Sequence, residues 1–249
     1  MSGSLSGVQN DSNKERGSTM RLRRIAGTKE KIVQHTNYLV LDPGHWRGRW
    51  DEFFEQRRTG TLAVRRPLYL ELGIGRGTFI TTMATRSTDV NWLGAELREE
   101  VLLEAIEKAN AGEMPNLAFL WIDIERIAEL FAPGEVDRIY LHFSDPWPKK
   151  RQAKRRLTHP RFLERYKQFL RPGGEIYLKS DNRDLFDFSL TSLADHGFSL
   201  TEVSYDWHGE RKTSDEAEVM TEYERRFVGM NMPIHRCVAV NLSPAAEPR

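Results

Sequence analysis

From Pro67 onward the chain alternates short apolar runs with amphipathic stretches, and few folds are compatible with that alternation. Runs that are apolar at nearly every position read as strands buried on both faces of a parallel sheet, and the stretches between them read as the crossover helices that parallel pairing requires. The pattern predicts strands over residues 68–72, 91–96, 117–122, 137–143 and 175–179, with helices over 78–85, 99–110, 124–131 and 160–170 between them. In the second helix Val101, Leu102, Ala105 and Ile106 share one face, as a helix covering a sheet needs. Gly173-Gly174, just after Pro172, is read as the stop of the fourth helix. A helix over 185–195 ending at Gly197 and strands over 199–204 and 235–241 complete the series. Successive β/α units closed by a terminal pair of strands predict an α/β, doubly wound sheet. Such sheets bind ligands outside the carboxyl ends of the strands, near the point where strand order reverses.

The 249 residues are enough for one α/β domain with additional segments. The domain is expected over 36–242, with an N-terminal extension over 1–35 and a short tail over 243–249. The opening MSGSLSGVQNDSNKERGSTM offers almost nothing to bury, so disorder is expected to about residue 20. Arg21, Arg23, Arg24, Lys29 and Lys31 after it form either a basic arm or an ordinary solvated surface. Lys and Arg total 37 against 36 acids, so contact with a nucleic acid has to come from local clustering rather than net charge. Cys237, the single cysteine, lies in the apolar run Cys237-Val238-Ala239-Val240 and reads as a core thiol in a reducing compartment. No apolar window approaches the ~18–20 residues needed to span a bilayer, and a soluble cytoplasmic protein is expected.

The first strand of the series runs into Glu71-Leu72-Gly73-Ile74-Gly75-Arg76-Gly77-Thr78. Gly73, Gly75 and Gly77 allow a sharp strand-to-helix turn and close approach of a ligand to the backbone. A dinucleotide is the first rival, but the third glycine follows the second after one residue, so the G-x-G-x-x-G spacing fails. Three acids narrow the choice: Glu71 before the glycines, Glu96 at the end of the second strand and Asp123 after the third. Glu96 is placed to accept the hydroxyls of a ribose, Asp123 an exocyclic amine, and Glu71 offers negative charge to a cationic group. A pyrophosphate is repelled by such surroundings. S-adenosyl-L-methionine, with a ribose diol, an amine, an ammonium, a sulfonium and no phosphate, matches them.

After the fourth strand comes Ser144-Asp145-Pro146-Trp147-Pro148 and then six cations in eight positions, Lys149 to Arg156. Topology brings Asp145 to the rim that holds the glycine loop. Trp147 is either a flat surface for a base or a packing residue, and the cations suit a phosphate backbone. The Asp-Pro-aromatic string also resembles the tetrapeptides of amino-methyltransferases that act on adenine or cytosine, and that class stays open. So does an RNA-binding protein whose pocket is purely structural. The seven histidines lack ligand spacing, so no metal is expected.

Taken together, Ser-Asp-Pro-Trp-Pro-Lys-Lys-Arg, the Lys-Arg-Arg that follows, Glu-Leu-Gly-x-Gly-x-Gly before it and Thr221-Glu222-Tyr223-Glu224 near the end closely resemble the bacterial tRNA (guanine-N7-)-methyltransferases. The resemblance runs from about Tyr38 to Leu242, including Gly48-Arg49-Trp50 and Phe53-Phe54, and leaves the first segment uncovered. It implies a Rossmann-like methyltransferase fold, a mostly parallel seven-stranded sheet with an antiparallel terminal strand and helices on both faces. It implies methyl transfer from S-adenosyl-L-methionine to N7 of a guanine in the variable loop of tRNA. Glu71, Glu96, Asp123 and Asp145 would contact the cofactor together with the glycine loop, Asp145 being catalytic as well. Lys149, Asp181, Thr221, Glu222, Tyr223 and Glu224 would hold the substrate, and Arg151, Lys154, Arg155 and Arg156 would touch RNA. His142 and Gln152 stand where the family pattern often has Asn and His, which bears on substrate contacts and leaves the acids intact.

Overall fold

The computed structural model describes residues 27–35, 37–58, 65–210 and 219–244; the expectations for the first segment to residue 26 and for 245–249 lie outside the described residues. Seven strands form one sheet: β1 Leu68–Leu72, β2 Asn91–Glu96, β3 Leu117–Trp121, β4 Val136–His142, β5 Leu170–Ser180, β6 Phe198–Ser204 and β7 His235–Asn241. Their order is β3-β2-β1-β4-β5-β7-β6. Pairing is parallel from β3 through β5, while β7 runs antiparallel to both β5 and β6. The order reverses between β1 and β4, which puts the switch point at the glycine loop.

Among the described residues seven α-helices accompany the sheet: α1 Thr28–Gln34, α2 Trp50–Arg57, α3 Thr78–Arg86, α4 Glu99–Ala109, α5 Pro160–Tyr166, α6 Arg183–Asp195 and α7 Glu222–Gly229. Two cores result, because side chains alternate between the faces of each strand. Leu70, Leu72, Leu93, Ala95, Ile139 and Leu141 pack on one face with α2, α5 and α6, whereas Trp92, Phe119 and Tyr140 pack on the other with α3 and α4. The second face also receives α1, whose Ile32 is fully buried. Cys237 is buried in the first core, and burial pushes its thiol up to about 12. Among the described residues no helix is long and apolar enough to cross a membrane.

Two readings of the sequence need correction. The stretch 124–131 forms a tight 3-10 helix, Ile124–Leu130, rather than an α-helix. More consequentially, α5 ends at Tyr166, and Leu170 already pairs with Val136 as part of β5. Gly173-Gly174 therefore stops no helix. The register against β4 shifts between Val136 and Arg138, and the glycines sit in the resulting bulge, Gly173 at φ +69° and Gly174 where a Cβ would lie 2.8 Å from the Arg171 carbonyl.

Gly77 fixes how closely the first loop lies on the sheet. It caps α3 at φ +74°, and a Cβ on it would come within 2.6 Å of the Ala105 Cβ on α4. Gly77→Ala is expected to cost about 2 kcal/mol through overpacking and left-handed strain, read as a Tm lower by roughly 4–8 °C for a domain of this size. An unchanged Tm would show that α3 and α4 separate without cost.

Candidate active site

The carboxyl ends of the parallel strands open into a cleft of about 750 Å³. Glu71, Glu96, Asp123 and Asp145, contributed by four different strand ends, all line it. Gly73 and Gly75 line it too, both at positive φ and both with open space where a Cβ would stand. Gly77 does not, since its missing Cβ serves the contact with Ala105. The acids are held differently. Glu96 Oε1 accepts from the Leu97 and Arg98 amides at 2.9 Å each, yet burial still raises its pKa. Asp123 is exposed and caps the following 3-10 turn through the Glu125 amide at 3.0 Å.

Glu71 is 1% exposed, and among the described residues its Oε2 has no hydrogen-bond partner. Desolvation, reinforced by Glu96, raises its pKa well above the usual carboxylate range, against the pull of Lys179. His142 Nδ1 lies 3.5 Å from Glu71 Oε1, too far for a sound hydrogen bond, and is also unpartnered. Strand parity puts Glu71, His142 and Lys179 on one face: Glu71 is in register with Tyr140, two residues before His142, and His142 with Lys179. Burial, and then the charge of Lys179, lowers the His142 imidazole to about 3, so it is neutral at physiological pH. A buried, unpartnered carboxyl at a cleft wall is a site suited to a cationic ligand group.

The segment 221–224 straps the cleft from above. Thr221 and Glu224 form a capping box at the start of α7, with Thr221 Oγ1 accepting from the Glu224 amide at 2.9 Å. Glu224 is fully buried: Lys179 Nζ donates to it at 3.0 Å and His208 Nε2 lies 2.9 Å away. Burial alone would raise Glu224, but His208 and Lys179 more than offset that and hold it below its ordinary value. On the opposite wall Glu222 accepts from Lys108 Nζ at 2.5 Å and Thr78 Oγ1 at 3.0 Å, and lies 3.9 Å from Arg76. Between these two anchors Thr221, Glu222 and Tyr223 face the cleft, with the Tyr223 ring 5.4 Å from that of Phe143.

The family model described as "Putative methyltransferase" matches residues 65–237. Curated proteins named tRNA (guanine-N(7)-)-methyltransferase align along nearly their whole length. One from Lachnoclostridium phytofermentans is 48% identical over 88% of this chain and 98% of its own, and one from Bacillus subtilis is 38% identical over 87% and 97%. The chain belongs to the tRNA (guanine-N7-)-methyltransferase family. Solved structures agree on the fold: the 16S rRNA methyltransferase KamB matches with a TM-score of 0.58 at 18% identity, covering 78% of this chain and 94% of that one. The aminoglycoside resistance methyltransferase NpmB1 matches at 0.51 and 17% identity, covering 76% and 92%.

In this methyltransferase the remaining residues singled out from sequence fall partly on the cleft wall and partly around it. Asp145 and Trp147 line it, whereas Lys149, Arg151 and Lys154 are exposed along the 3-10 helix Lys150–Arg155 and its N-cap. Arg155 lines the cleft and lays its guanidinium 3.8 Å over the Trp147 ring, covering one face of it. Arg156 is half-buried beneath them. Asp181, just after β5, is half-buried, and desolvation raises it. Glu224, read from sequence as a possible substrate contact, lies behind the strap and not on the cleft wall. Sequence reasoning did not find Lys179 or His208 as parts of the methyltransferase site, and met His142 only as a departure from the family pattern. Lys179 left a signal, as a cation directly after the apolar Ile176-Tyr177-Leu178 whose burial would demand a partner. Among the described residues no three His, Cys, Asp or Glu side chains converge as a metal site.

The state of His142 is testable by pH. Its folded pKa lies below its unfolded value near 6.5, so the unfolded chain takes the proton first. Its contribution to stability is whole above about pH 6.5 and is lost as pH falls toward 3, with about 1.4 kcal/mol gone near pH 5.5. Chemical denaturation of wild type and His142→Asn between pH 8 and 5.5 is expected to show wild type losing that much more. Parallel curves would mean that His142 is charged, or solvated, in the fold.

Proposed function

We propose that the chain transfers a methyl group from S-adenosyl-L-methionine to N7 of a guanine in tRNA, forming 7-methylguanosine. The observation that carries the reading is the buried, unpartnered Glu71 carboxyl on the wall of the cleft whose rim holds Asp145. S-adenosyl-L-methionine supplies an electrophilic methyl on a sulfonium, with an ammonium at one end and a ribose diol and adenine at the other. The lining residues fit that ligand: an ammonium beside Glu71 would give its orphan oxygen a partner and favour the ionised carboxylate. Glu96, oriented by two backbone amides, suits the ribose hydroxyls, and Asp123 suits the adenine amine. Gly73 and Gly75 put no side chain of their own on that wall.

Guanine N7 carries an in-plane lone pair and no proton, so no residue has to act as a strong base. The protein's task is alignment, which can supply up to ~7–11 kcal/mol of a barrier in favourable cases. Methylation makes the purine cationic, and Asp145 at the rim is the carboxylate placed to stabilise that charge as it develops. Tyr223, whose phenol is raised by burial and by the nearby Asp181 and Asp145 charges, closes the opposite side with Phe143. A carboxylate can accept from guanine N1–H and its amine together, and Asp181 suits that role better than Glu224, which is engaged by Lys179 and His208. The exposed Lys149, Lys150, Arg151, Lys154 and Arg155 suit the phosphate backbone of the same tRNA.

Labelled cofactor, total tRNA and product mapping by nuclease digestion and mass spectrometry test the reaction. The expected product is 7-methylguanosine; methyl on an exocyclic amine of adenine or cytosine would assign the chain to the amino-methyltransferases instead. Asp145→Ala is expected to lower kcat on the order of 10²-fold while calorimetry still detects cofactor binding, and wild-type turnover in that variant would refute its role.

A further inference from the structure

The loop from Phe143 to Pro148 carries Asp145 in neither helix nor strand. Two of its residues, Phe143 at φ 51° and Trp147 at φ 42°, are non-glycine residues in the left-handed region and bracket the aspartate. Side chains with a Cβ enter that region at a cost, and they stay there only when the surroundings hold them. Pro146 and Pro148 contribute no N–H, so the loop has few donors with which to satisfy its own carbonyls. At the Phe143 end the backbone is tied to the sheet, its amide donating to the Lys179 carbonyl at 2.9 Å. At the other end the donors come from Arg156, whose Nε donates to the Pro146 carbonyl at 3.0 Å and whose Nη2 donates to the Trp147 carbonyl at 3.2 Å.

Arg156 is itself well rooted. Its guanidinium lies 4.5 Å over the Phe188 ring of α6. Its own amide donates to Ala153 O and its carbonyl accepts from the His159 amide, both at 3.0 Å. Two residues on, Thr158 is buried with its hydroxyl 2.7 Å from that of Ser189 and its carbonyl accepting from Ser192 Oγ at 2.6 Å, so the chain here is bound to α6. The other five cations of the run are exposed, Arg155 covering the Trp147 ring from outside.

We propose that Arg156 is a positioning residue which fixes the Asp145 loop to α6, and that it is not one of the cations that hold RNA phosphate. The proposal rests on the reading of the cleft as the methyl-transfer site. A planar fork that donates to two successive carbonyls while lying on an aromatic ring is matched by guanidinium geometry and not by an ammonium, although a phosphate accepts either.

Arg156→Lys therefore separates the two roles, with Lys154→Ala as the contrast and equal Tm and strand exchange as the control for folding. Backbone hydrogen exchange of the peptide covering 143–150, measured without substrate, is expected to rise at least about 10-fold in Arg156→Lys and to stay at the wild-type rate in Lys154→Ala. Steady-state kinetics on tRNA are expected to give a kcat lower by about 10- to 100-fold, the scale of a misplaced group, with KM for tRNA and the salt slope of binding within twofold of wild type. Lys154→Ala is expected to do the reverse, losing roughly 0.7–0.9 of a unit of salt slope and raising KM for tRNA, with loop exchange at the wild-type rate. Unchanged exchange in Arg156→Lys overturns the proposal, and so does a variant of undiminished kcat. In a third variant, Arg156→Gln, a salt slope reduced by one phosphate with loop exchange unchanged would return Arg156 to the RNA surface. Absence of 7-methylguanosine with wild-type protein would refute the parent reading instead, and the exchange measurement, which needs no turnover, would still decide whether Arg156 holds the loop.

Discussion

Parallel pairing of β1 with both β2 and β4 is the constraint from which the site follows. Parallel neighbours need crossovers, and each crossover returns the chain to the same edge, so every strand delivers its carboxyl end to one rim. Four acids separated by long stretches of sequence, Glu71, Glu96, Asp123 and Asp145, come together there without any local motif joining them. The two-residue period of the strands does the rest. It sets Glu71, His142 and Lys179 on the α3 and α4 side of the sheet, close enough to perturb one another. A one-residue slip of β4 against β1 would turn His142 to the other core and dissolve the arrangement.

The charges behind the cleft fall into two classes. Glu224 is buried with Lys179, His208 and its own capping box, a satisfied network whose effect is to pin α7 across the cleft. Removing one partner from such a network leaves an uncompensated buried charge. Glu71 is buried with no such network, and the residue lines a space that a ligand can enter. The fold thus tolerates an unsatisfied acid at one position and satisfies a neighbouring one completely, which is the distribution expected when one acid serves the architecture and the other a bound cation.

Much of this was legible in the sequence. Short apolar runs alternating with amphipathic stretches placed all seven strands, since a central strand buried on both faces has little freedom in composition, and the three acids and Asp145 could be assigned to one rim from topology alone. What escaped were features decided by tertiary contact. Gly77 reads as part of a ligand loop, yet its missing Cβ makes room for Ala105 from another helix. Gly173-Gly174 reads as a helix stop but forms a bulge, because the pairing of Leu170 with Val136 overrides the local signal. Arg156 is one more cation in a run of six until its two carbonyl partners are seen. Glu224 carries the sequence signature of a capping box, but nothing local announces that Lys179 and His208 close around it.

On the proposed function, one cleft brings a cationic methyl donor against Glu71 and a guanine against Asp145. The most direct measurement is a crystal structure with S-adenosyl-L-homocysteine and a tRNA fragment bound. It should show the ligand's ammonium hydrogen-bonded to Glu71, its ribose on Glu96 and a guanine base between Asp145 and Tyr223. A nucleoside bound outside this cleft, or Glu71 left without a partner in the filled site, would contradict it.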